Sequence, residues 1–326
     1  MASAPIEIAP NAPVSIARPP SSGELLTDRL MRLGTTALAW AVIALGTYIV
    51  LQIAWTARPA LARFGVSLLA QRTWDSNREL FGLLPAIWGT LYSSIIGLGI
   101  GTFFGLCIAI VLSQDFLPVA VETILKNLIE LLAAVPSVVY GLWGIFVVIP
   151  AIRPLADWCS VHLGWIPIFG TPLRGPGMLP ASMVLAIMVL PTVSALSRDA
   201  LKSVPTKIKE AAVGLGATRW EAILGVLVPT ALTGIFGSVM LGFGRALGET
   251  MALAMLVGNA NEISVSLFSP GTTLAAILAL NFPEARGIEA QALMYAALVL
   301  LAITLSVNVV GTAIVNRAAR RLRGLR

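Results

Sequence analysis

The chain has 326 residues and a formal net charge of +6; 57% of its residues are hydrophobic and only 12% are charged. An ordinary soluble domain is roughly 45–50% apolar and about 25% charged, so this composition excludes that class and indicates an integral membrane protein. One histidine and two separated cysteines provide neither metal-ligand spacing nor a disulfide framework. Because no G-x-x-x-x-G-K-[ST] loop occurs either, the sequence predicts no cofactor, no metal and no ATP site.

The predicted elements begin with a disordered tail at residues 1–33, which is rich in Pro, Ala and Ser. A membrane helix needs about 20 mainly apolar residues. Six stretches meet or nearly meet this need, at 35–55, 83–112, 128–149, 178–196, 231–257 and 291–315. The predicted fold class is therefore all-α, a polytopic membrane protein with six transmembrane helices over residues 34–316 and a basic end at 317–326.

The distribution of Lys and Arg predicts the orientation. If the amino terminus is cytoplasmic, fourteen of the 22 basic residues lie in cytoplasmic segments and seven in external loops, and Arg245 lies inside a span. Cytoplasmic segments usually carry the excess of positive charge. The distribution thus favours both termini in the cytoplasm.

The segment between the fourth and fifth stretches, at 204–221, has the pattern of a helical hairpin. Pro205 suits the first turn of a helix, and a Gly-Leu-Gly turn ends that helix. Thr218 then fits an N-cap with Glu221 three residues later, which completes a capping box. Small residues on the first helix would permit close docking into a groove of a partner, and a solvated loop that contacts nothing is the alternative.

The fifth apolar stretch, at 231–257, contains two charges, Arg245 and Glu249. Arg at the centre of a membrane helix raises the free energy of membrane insertion by roughly 2.5–3.5 kcal/mol. Such a residue therefore faces a partner helix or a water-filled pathway. In a continuous helix Glu249 shares a face with Arg245, and the alternative interpretation is an ion pair that neutralises itself. Gly244 and Gly248 leave space beside the charges for another helix or a solute.

The chemistry of Arg245 and Glu249 favours a protonated oxyanion. Arginine offers a planar fork of donors that suits phosphate. A carboxylate repels an anion but accepts a hydrogen bond from the P–OH group of protonated phosphate. Sulfate carries no such proton at neutral pH, so a buried acceptor would reject it. The sequence therefore predicts a substrate pathway at Arg245, Glu249 and the adjacent Thr250, with phosphate preferred over sulfate.

The hairpin also carries a motif, E-A-A-x-x-x-G followed by V-x-V-P, that resembles the signature of ABC importer permeases. Two valines, Val226 and Val228, replace the usual Ile and Leu. The resemblance implies that this segment is the coupling helix that docks on an ATPase subunit. The implied docking residues are Glu210, Ala211, Ala212 and Gly216.

The stretch G-F-G-R-A-L-G-E-T-M-A at 242–252 closely resembles the charged helix of phosphate importer permeases of the PstC family, and P-S-V-V-Y-G at 136–141 and T-T-L-A at 272–275 are similar to that family too. The resemblance implies a type I ABC importer permease (MetI-like) fold in a bacterial inner membrane. It also implies a PstA-like second permease, a PstB-like ATPase dimer that hydrolyses ATP, and an external PstS-like phosphate-binding protein.

Two other functions stay open at this point. One is an ABC permease for another solute such as molybdate, sulfate or an amino acid. The other is a secondary transporter or channel that needs no ATPase and uses Arg245 and Glu249 as a gate or proton relay. An enzyme is disfavoured, because no paired catalytic carboxylates, nucleophile elbow or metal cluster is present.

Overall fold

The computed structural model describes residues 21–114 and 116–324, and it divides the chain into two compact units, Met1–Gln52 and Ile53–Arg326. Helices account for nearly all of the described secondary structure. In chain order these are α1 Ser22–Phe64, α2 Ser67–Ala70, α3 Leu84–Ser113, α4 Val119–Ala134, α5 Ser137–Trp143, α6 Ile149–His162, α7 Met178–Lys202, α8 Thr206–Gly214, α9 Arg219–Ala222, α10 Val228–Thr230, α11 Leu232–Leu247, α12 Met251–Leu256, α13 Leu274–Asn281 and α14 Ile288–Gly324. Two short strands, β1 Trp74–Asp75 and β2 Leu80–Phe81, pair antiparallel between α2 and α3. The all-α membrane fold is thus confirmed.

Within the first unit, the described residues form the amino-terminal part of α1, which begins at Ser22. This helix starts before residue 34, where the sequence places the first boundary. Residues 22–33 of the predicted disordered tail are therefore helical here. Residues 1–20 lie outside the described part of the chain, and their disorder stays a prediction. The apolar residues of this part of α1 are exposed, as expected of a surface that faces lipid.

In the described part of the chain, five helical segments are long and apolar enough to cross a membrane. The number rises to six if one bent pair of helices is counted as a single span. The bent pair joins the helical segment Arg219–Thr230 to α11 Leu232–Leu247 at an angle of 69°. This number agrees with a multi-pass membrane protein.

The third predicted span, at 128–149, is wrong in position. Pro136 separates α4 from α5, because proline has no N–H to donate and disfavours helical backbone at the preceding Val135. The apolar segment that could cross the membrane is instead Ser137–His162, which includes a π-helical turn at Gly144–Val148. Residues 128–134 belong to α4, none of whose residues is buried.

Three glycines of α3, spaced four residues apart, lie against α7. A Cβ atom on Gly97 would lie 3.0 Å from the Ser182 carbonyl oxygen, and one on Gly101 would lie 2.9 Å from that of Ala186. Gly105 faces Val193 in the same way, at 3.1 Å. The two backbones approach closely because these positions carry no side chain.

The motifs at 136–141 and 272–275 make contacts between the helices of the core. In P-S-V-V-Y-G, the Tyr140 hydroxyl donates to the Leu132 carbonyl oxygen at 2.7 Å, and Gly141 lies against Met255 of α12. In T-T-L-A, the backbone N–H of Leu274 donates to Thr90 Oγ1 of α3 at 2.9 Å. These contacts hold α12 and α13 against the helices that precede them.

Candidate functional site

The predicted fifth span is not one continuous helix. α11 ends at Leu247 and α12 begins at Met251, so a three-residue turn separates them. Glycine is about 1 kcal/mol less favourable than alanine inside a helix, and α11 ends next to Gly248 in a segment that also contains Gly242 and Gly244. Glu249 therefore lies in the turn, and the expected shared helix face with Arg245 is wrong.

Side chains of the turn satisfy backbone groups that the break leaves open. Thr250 Oγ1 donates to the Gly248 carbonyl oxygen at 3.1 Å, and Glu249 Oε1 accepts from the backbone N–H of Ala252 at 3.4 Å. Non-helical backbone at membrane depth is tolerated where it is buried in protein or lines a water-filled cavity. Glu249 and Thr250, both half-buried, are thus held by local hydrogen bonds in this conformation.

Arg245 lies in the last turn of α11 and is exposed. Its positive charge is favourable at the carboxyl end of a helix, because the negative ends of the backbone dipoles point there. None of the salt bridges among the described residues includes Arg245, so it is not paired with Glu249 within 4.0 Å. The self-neutralising ion pair is therefore not formed here, and the guanidinium stays available to another group.

Arg245 lines a cavity of about 430 Å³ between three helices. Thr192 of α7 and Asn308 of α14 provide polar groups to its wall. Gly244 opens the wall, because a Cβ there would lie 3.8 Å from Asn308 Oδ1 and 3.9 Å from Nδ2. The remaining lining residues are Met240 and Leu241. One cation, one hydroxyl and one amide around an open space suit a small anion with several oxygens.

The cavity brings together one predicted pathway residue and two that the sequence analysis missed. Glu249 and Thr250 are not among its lining residues, whereas Thr192 and Asn308 are. A signal for Asn308 does exist in the sequence. Polar residues recur every four positions in and just after the mainly apolar last stretch, at Thr304, Asn308, Thr312 and Asn316.

The hairpin has the predicted local structure. α8 ends at Gly214, Gly216 follows with a positive φ of 91°, and Thr218 and Glu221 form the capping box. Of the predicted docking residues, Glu210, Ala211 and Gly216 are exposed and Ala212 is half-buried. Leu215 at the tip is 91% exposed, so the hairpin presents small and apolar groups to its surroundings.

The base of the hairpin is fixed to the membrane helices. Arg219 donates to the Gln114 carbonyl oxygen at 2.7 Å, and its guanidinium lies 4.5 Å from the centre of the Phe116 ring. Ile208 of α8 packs on a buried apolar cluster that includes Ile110 of α3, Leu201 of α7 and Ile235 of α11. A displacement of the hairpin would therefore act on all three helices.

Comparison with known proteins identifies the family. The family model described as "Binding-protein-dependent transport system inner membrane component" matches residues 97–324. The chain is 38% identical over 292 residues to the phosphate transport system permease protein PstC of Xylella fastidiosa strain Temecula1, covering 88% of this chain and 90% of that one. It is 38% identical over 296 residues to PstC of Haemophilus influenzae, covering 89% and 93%. A probable PstC of Methanocaldococcus jannaschii is 34% identical over 278 residues, covering 83% and 86%.

Two solved structures share the fold. An inward-facing structure of the MetNI methionine ABC transporter superposes with a TM-score of 0.54 at 18% identity, covering 72% of this chain and 95% of that one. A bacterial ABC transporter involved in the import of the acidic polysaccharide alginate gives a TM-score of 0.54 at 14% identity, covering 89% and 99%. The helices, the hairpin and these comparisons agree: the chain belongs to the family of binding-protein-dependent transport system inner membrane components and is a multi-pass transport subunit.

Proposed function

We propose that the chain is the transmembrane permease subunit of an ATP-driven importer of inorganic phosphate in a bacterial inner membrane. The observation that carries this proposal is Arg245, which lies on a membrane helix beside a cavity and has no ion pair in the described structure. A charge in this position disfavours membrane insertion, and ionisable residues inside membrane helices usually have a function. Relatives that are 34–38% identical over most of the chain are named phosphate permeases.

The solute chemistry follows from the groups around the cavity. Arg245 donates hydrogen bonds to the anionic oxygens of phosphate, and Thr192 donates or accepts one more. Glu249 accepts a hydrogen bond from the P–OH group when the turn at 248–250 rearranges and releases the backbone N–H of Ala252. Thr250 belongs to the same turn and contributes its hydroxyl to the pathway. Binding is modest in strength, because transport requires release on the far side.

The proposed transporter contains other subunits. A second, PstA-like permease completes the pathway, a PstB-like ATPase dimer hydrolyses ATP, and an external PstS-like protein delivers phosphate. Both termini are cytoplasmic, in agreement with the excess of Lys and Arg there. No reaction on phosphate takes place in this chain.

Coupling to ATP runs through the hairpin. Glu210, Ala211, Ala212 and Gly216 dock on an ATPase subunit, and the apolar contacts of Ile208 pass the motion to α3, α7 and α11. Closure of the ATPase dimer then changes the side of the membrane on which the cavity at Arg245 is open. This is alternating access, in which two conformations expose one site to opposite sides.

The test is uptake of radiolabelled phosphate by proteoliposomes that contain the two permeases and the ATPase dimer, with the binding protein outside. We expect uptake only with internal ATP, and competition by unlabelled phosphate but not by sulfate or molybdate. Competition by sulfate or molybdate in place of phosphate would assign the permease to another oxyanion. Uptake without ATPase subunits would favour a secondary transporter or channel.

A further inference from the structure

A polar stripe runs along α14 and is not part of the predicted pathway. It consists of Thr304, Asn308, Thr312 and Asn316, each four residues after the last and hence on one side of the helix. Three of its members border an open groove of about 380 Å³ on the surface of α14, which is lined by residues of this helix alone: Asn308, Val309, Thr312, Ala313 and Asn316. Asn308 also lines the cavity of Arg245, so the groove and that cavity share one residue.

The stripe has a definite direction relative to Arg245. Asn308 lies beside Gly244 of α11, and a Cβ on Gly311, three residues later, would lie 2.2 Å from Met240 Cε. The two helices therefore run antiparallel here. Residues nearer the carboxyl end of α14 lie beside residues nearer the amino end of α11, and that end of α11 connects to the hairpin. From Asn308 to Asn316, the stripe thus leads from the Arg245 cavity towards the hairpin side of the molecule.

Asn308, which lies inside the predicted span 291–315, indicates that this part of the stripe does not contact lipid, whereas Asn316 lies just beyond the span. The threonines satisfy their hydroxyls within the helix, since Thr304 donates to Leu300 O at 2.9 Å and Thr312 donates to Asn308 O at 2.8 Å. The side-chain amides of Asn308 and Asn316 are exposed and make no hydrogen bond within residues 21–114 and 116–324. A polar group left unsatisfied in hydrocarbon is strongly unfavourable, so these amides face water, a solute or protein.

We propose that this stripe lines the hairpin-side half of the solute path, with Asn308 as a second solute-contacting residue after Arg245. The inference rests on the proposed function, because it assigns the same path a further part. The ligand is a tetrahedral oxyanion that carries a proton, such as phosphate. The amide N–H groups of Asn308 donate to its anionic oxygens and the amide oxygen accepts from P–OH. A neutral amide binds an anion less strongly than arginine does. Weaker binding suits a site from which the solute must be released.

Cysteine accessibility tests the path directly. In the full transporter, with Cys107 and Cys159 replaced by serine, single variants Asn308→Cys and Asn316→Cys are treated in inside-out vesicles with a small anionic methanethiosulfonate. The matched control is Val310→Cys, which is also exposed on α14 but about 200° around the helix from Asn308. We expect Asn308→Cys and Asn316→Cys to react, Val310→Cys not to react, and millimolar phosphate to slow the reaction of Asn308→Cys several-fold.

Failure has a distinct signature. If neither variant reacts and both instead cross-link to the second permease, the stripe is a helix-packing surface and the inference is overturned. If labelling of Asn308→Cys and Val310→Cys is equal and phosphate has no effect, the inference is overturned as well.

A kinetic measurement separates this inference from the proposed function. We expect Asn308→Leu to raise the KM for phosphate uptake about tenfold or more, the effect of losing one hydrogen bond to a charged group, with a smaller change in kcat. If Arg245→Gln abolishes uptake while Asn308→Leu leaves KM unchanged, the inference fails and the proposed function stands. If the wild type imports a different oxyanion, the proposed function fails, and protection of Asn308→Cys by that anion still supports the path.

Discussion

At the scale of single residues, the arginine of the charged stretch and its acidic neighbour have different roles in this conformation. Arg245 ends one helix and faces a cavity, whereas Glu249 lies in the following turn and accepts a backbone hydrogen bond. A carboxylate engaged with Ala252 N–H does not neutralise the arginine. In the proposed function, Glu249 exchanges this backbone donor for a P–OH donor when the turn rearranges.

The first prediction concerns Glu249→Gln. The glutamine amide keeps the size of the side chain and removes its charge. It also adds N–H groups that can donate hydrogen bonds to the oxygens of sulfate. We expect phosphate uptake to persist at reduced rate and excess sulfate, ineffective against the wild type, to inhibit it measurably. The measurement is the inhibition constant of sulfate against radiolabelled phosphate uptake. Unchanged exclusion of sulfate would remove Glu249 from the selectivity mechanism.

Asn308 shows why a sequence predicts some site residues and not others. Arg245 is evident because a charge inside an apolar stretch has few structural uses. A single Asn or Thr in a membrane helix has many, including bonds to its own backbone such as that of Thr312. Only the packing of α14 beside Gly244 distinguishes Asn308 from a residue with a local role.

At the scale of elements, α3 and α7 form a closely packed pair because glycine removes side chains from their interface. The second prediction compares two glycines of α3. A Cβ on Gly101 would lie 2.9 Å from Ala186 O, whereas a Cβ on Gly99 has no neighbour within 4 Å. Gly→Ala gains about 1 kcal/mol of helix propensity, and overpacking costs about 1–3 kcal/mol.

We therefore expect Gly101→Ala to lower the unfolding temperature of the detergent-solubilised protein and Gly99→Ala to leave it unchanged or raise it. The measurement is the midpoint of thermal unfolding of both variants under identical conditions. An equal shift for the two would mean that the α3–α7 contact does not depend on the missing side chain.

The hairpin is the element for which sequence and structure agree most closely. Its helix end, its left-handed glycine and its capping box each depend on a few adjacent residues, so local chemistry determines them. The break after Leu247 is also a local event, signalled by Gly248. Its effect on the direction of Glu249 could not be predicted, because it depends on how α12 packs against α5 and α7.

The third prediction places a charge on the proposed docking surface. Ala211→Glu adds a bulky anion to an exposed position of α8, so we expect the ATPase subunit to be lost on co-purification while the permease still inserts in the membrane. Thr206→Glu is the control, since it is exposed on the same helix but about 140° away. Co-purification of the ATPase with both variants would argue against docking at Ala211.

At the scale of the whole molecule, composition alone predicts a multi-pass membrane protein, and hydropathy locates most of its spans. The error at residues 128–149 has a physical cause, because hydropathy averages over Pro136 and also underrates the apolar turns that continue to His162 past Arg153 and Asp157. The amphipathic α4 is apolar enough to be mistaken for part of a span. Helix breaks, rather than apolar content, decide the topology in this part of the chain.

A single arginine lies at the centre of the proposed pathway, and the other 21 basic residues lie outside the predicted spans. If that is correct, its loss stops transport without loss of assembly. A suitable control is Arg58→Gln, because Arg58 is exposed and stacks on Trp55, with its guanidinium 4.6 Å from the centre of that ring. This variant removes the same charge at a position that does not line the cavity.

The most direct measurement is therefore ATP-dependent uptake of radiolabelled phosphate by the complete transporter carrying Arg245→Gln. We expect uptake to fall at least about a hundredfold, since one charge-assisted contact of about 3 kcal/mol is lost, with normal amounts of assembled complex and normal uptake for Arg58→Gln. Uptake at the wild-type rate with Arg245→Gln would contradict the account and leave Arg245 with a structural role only.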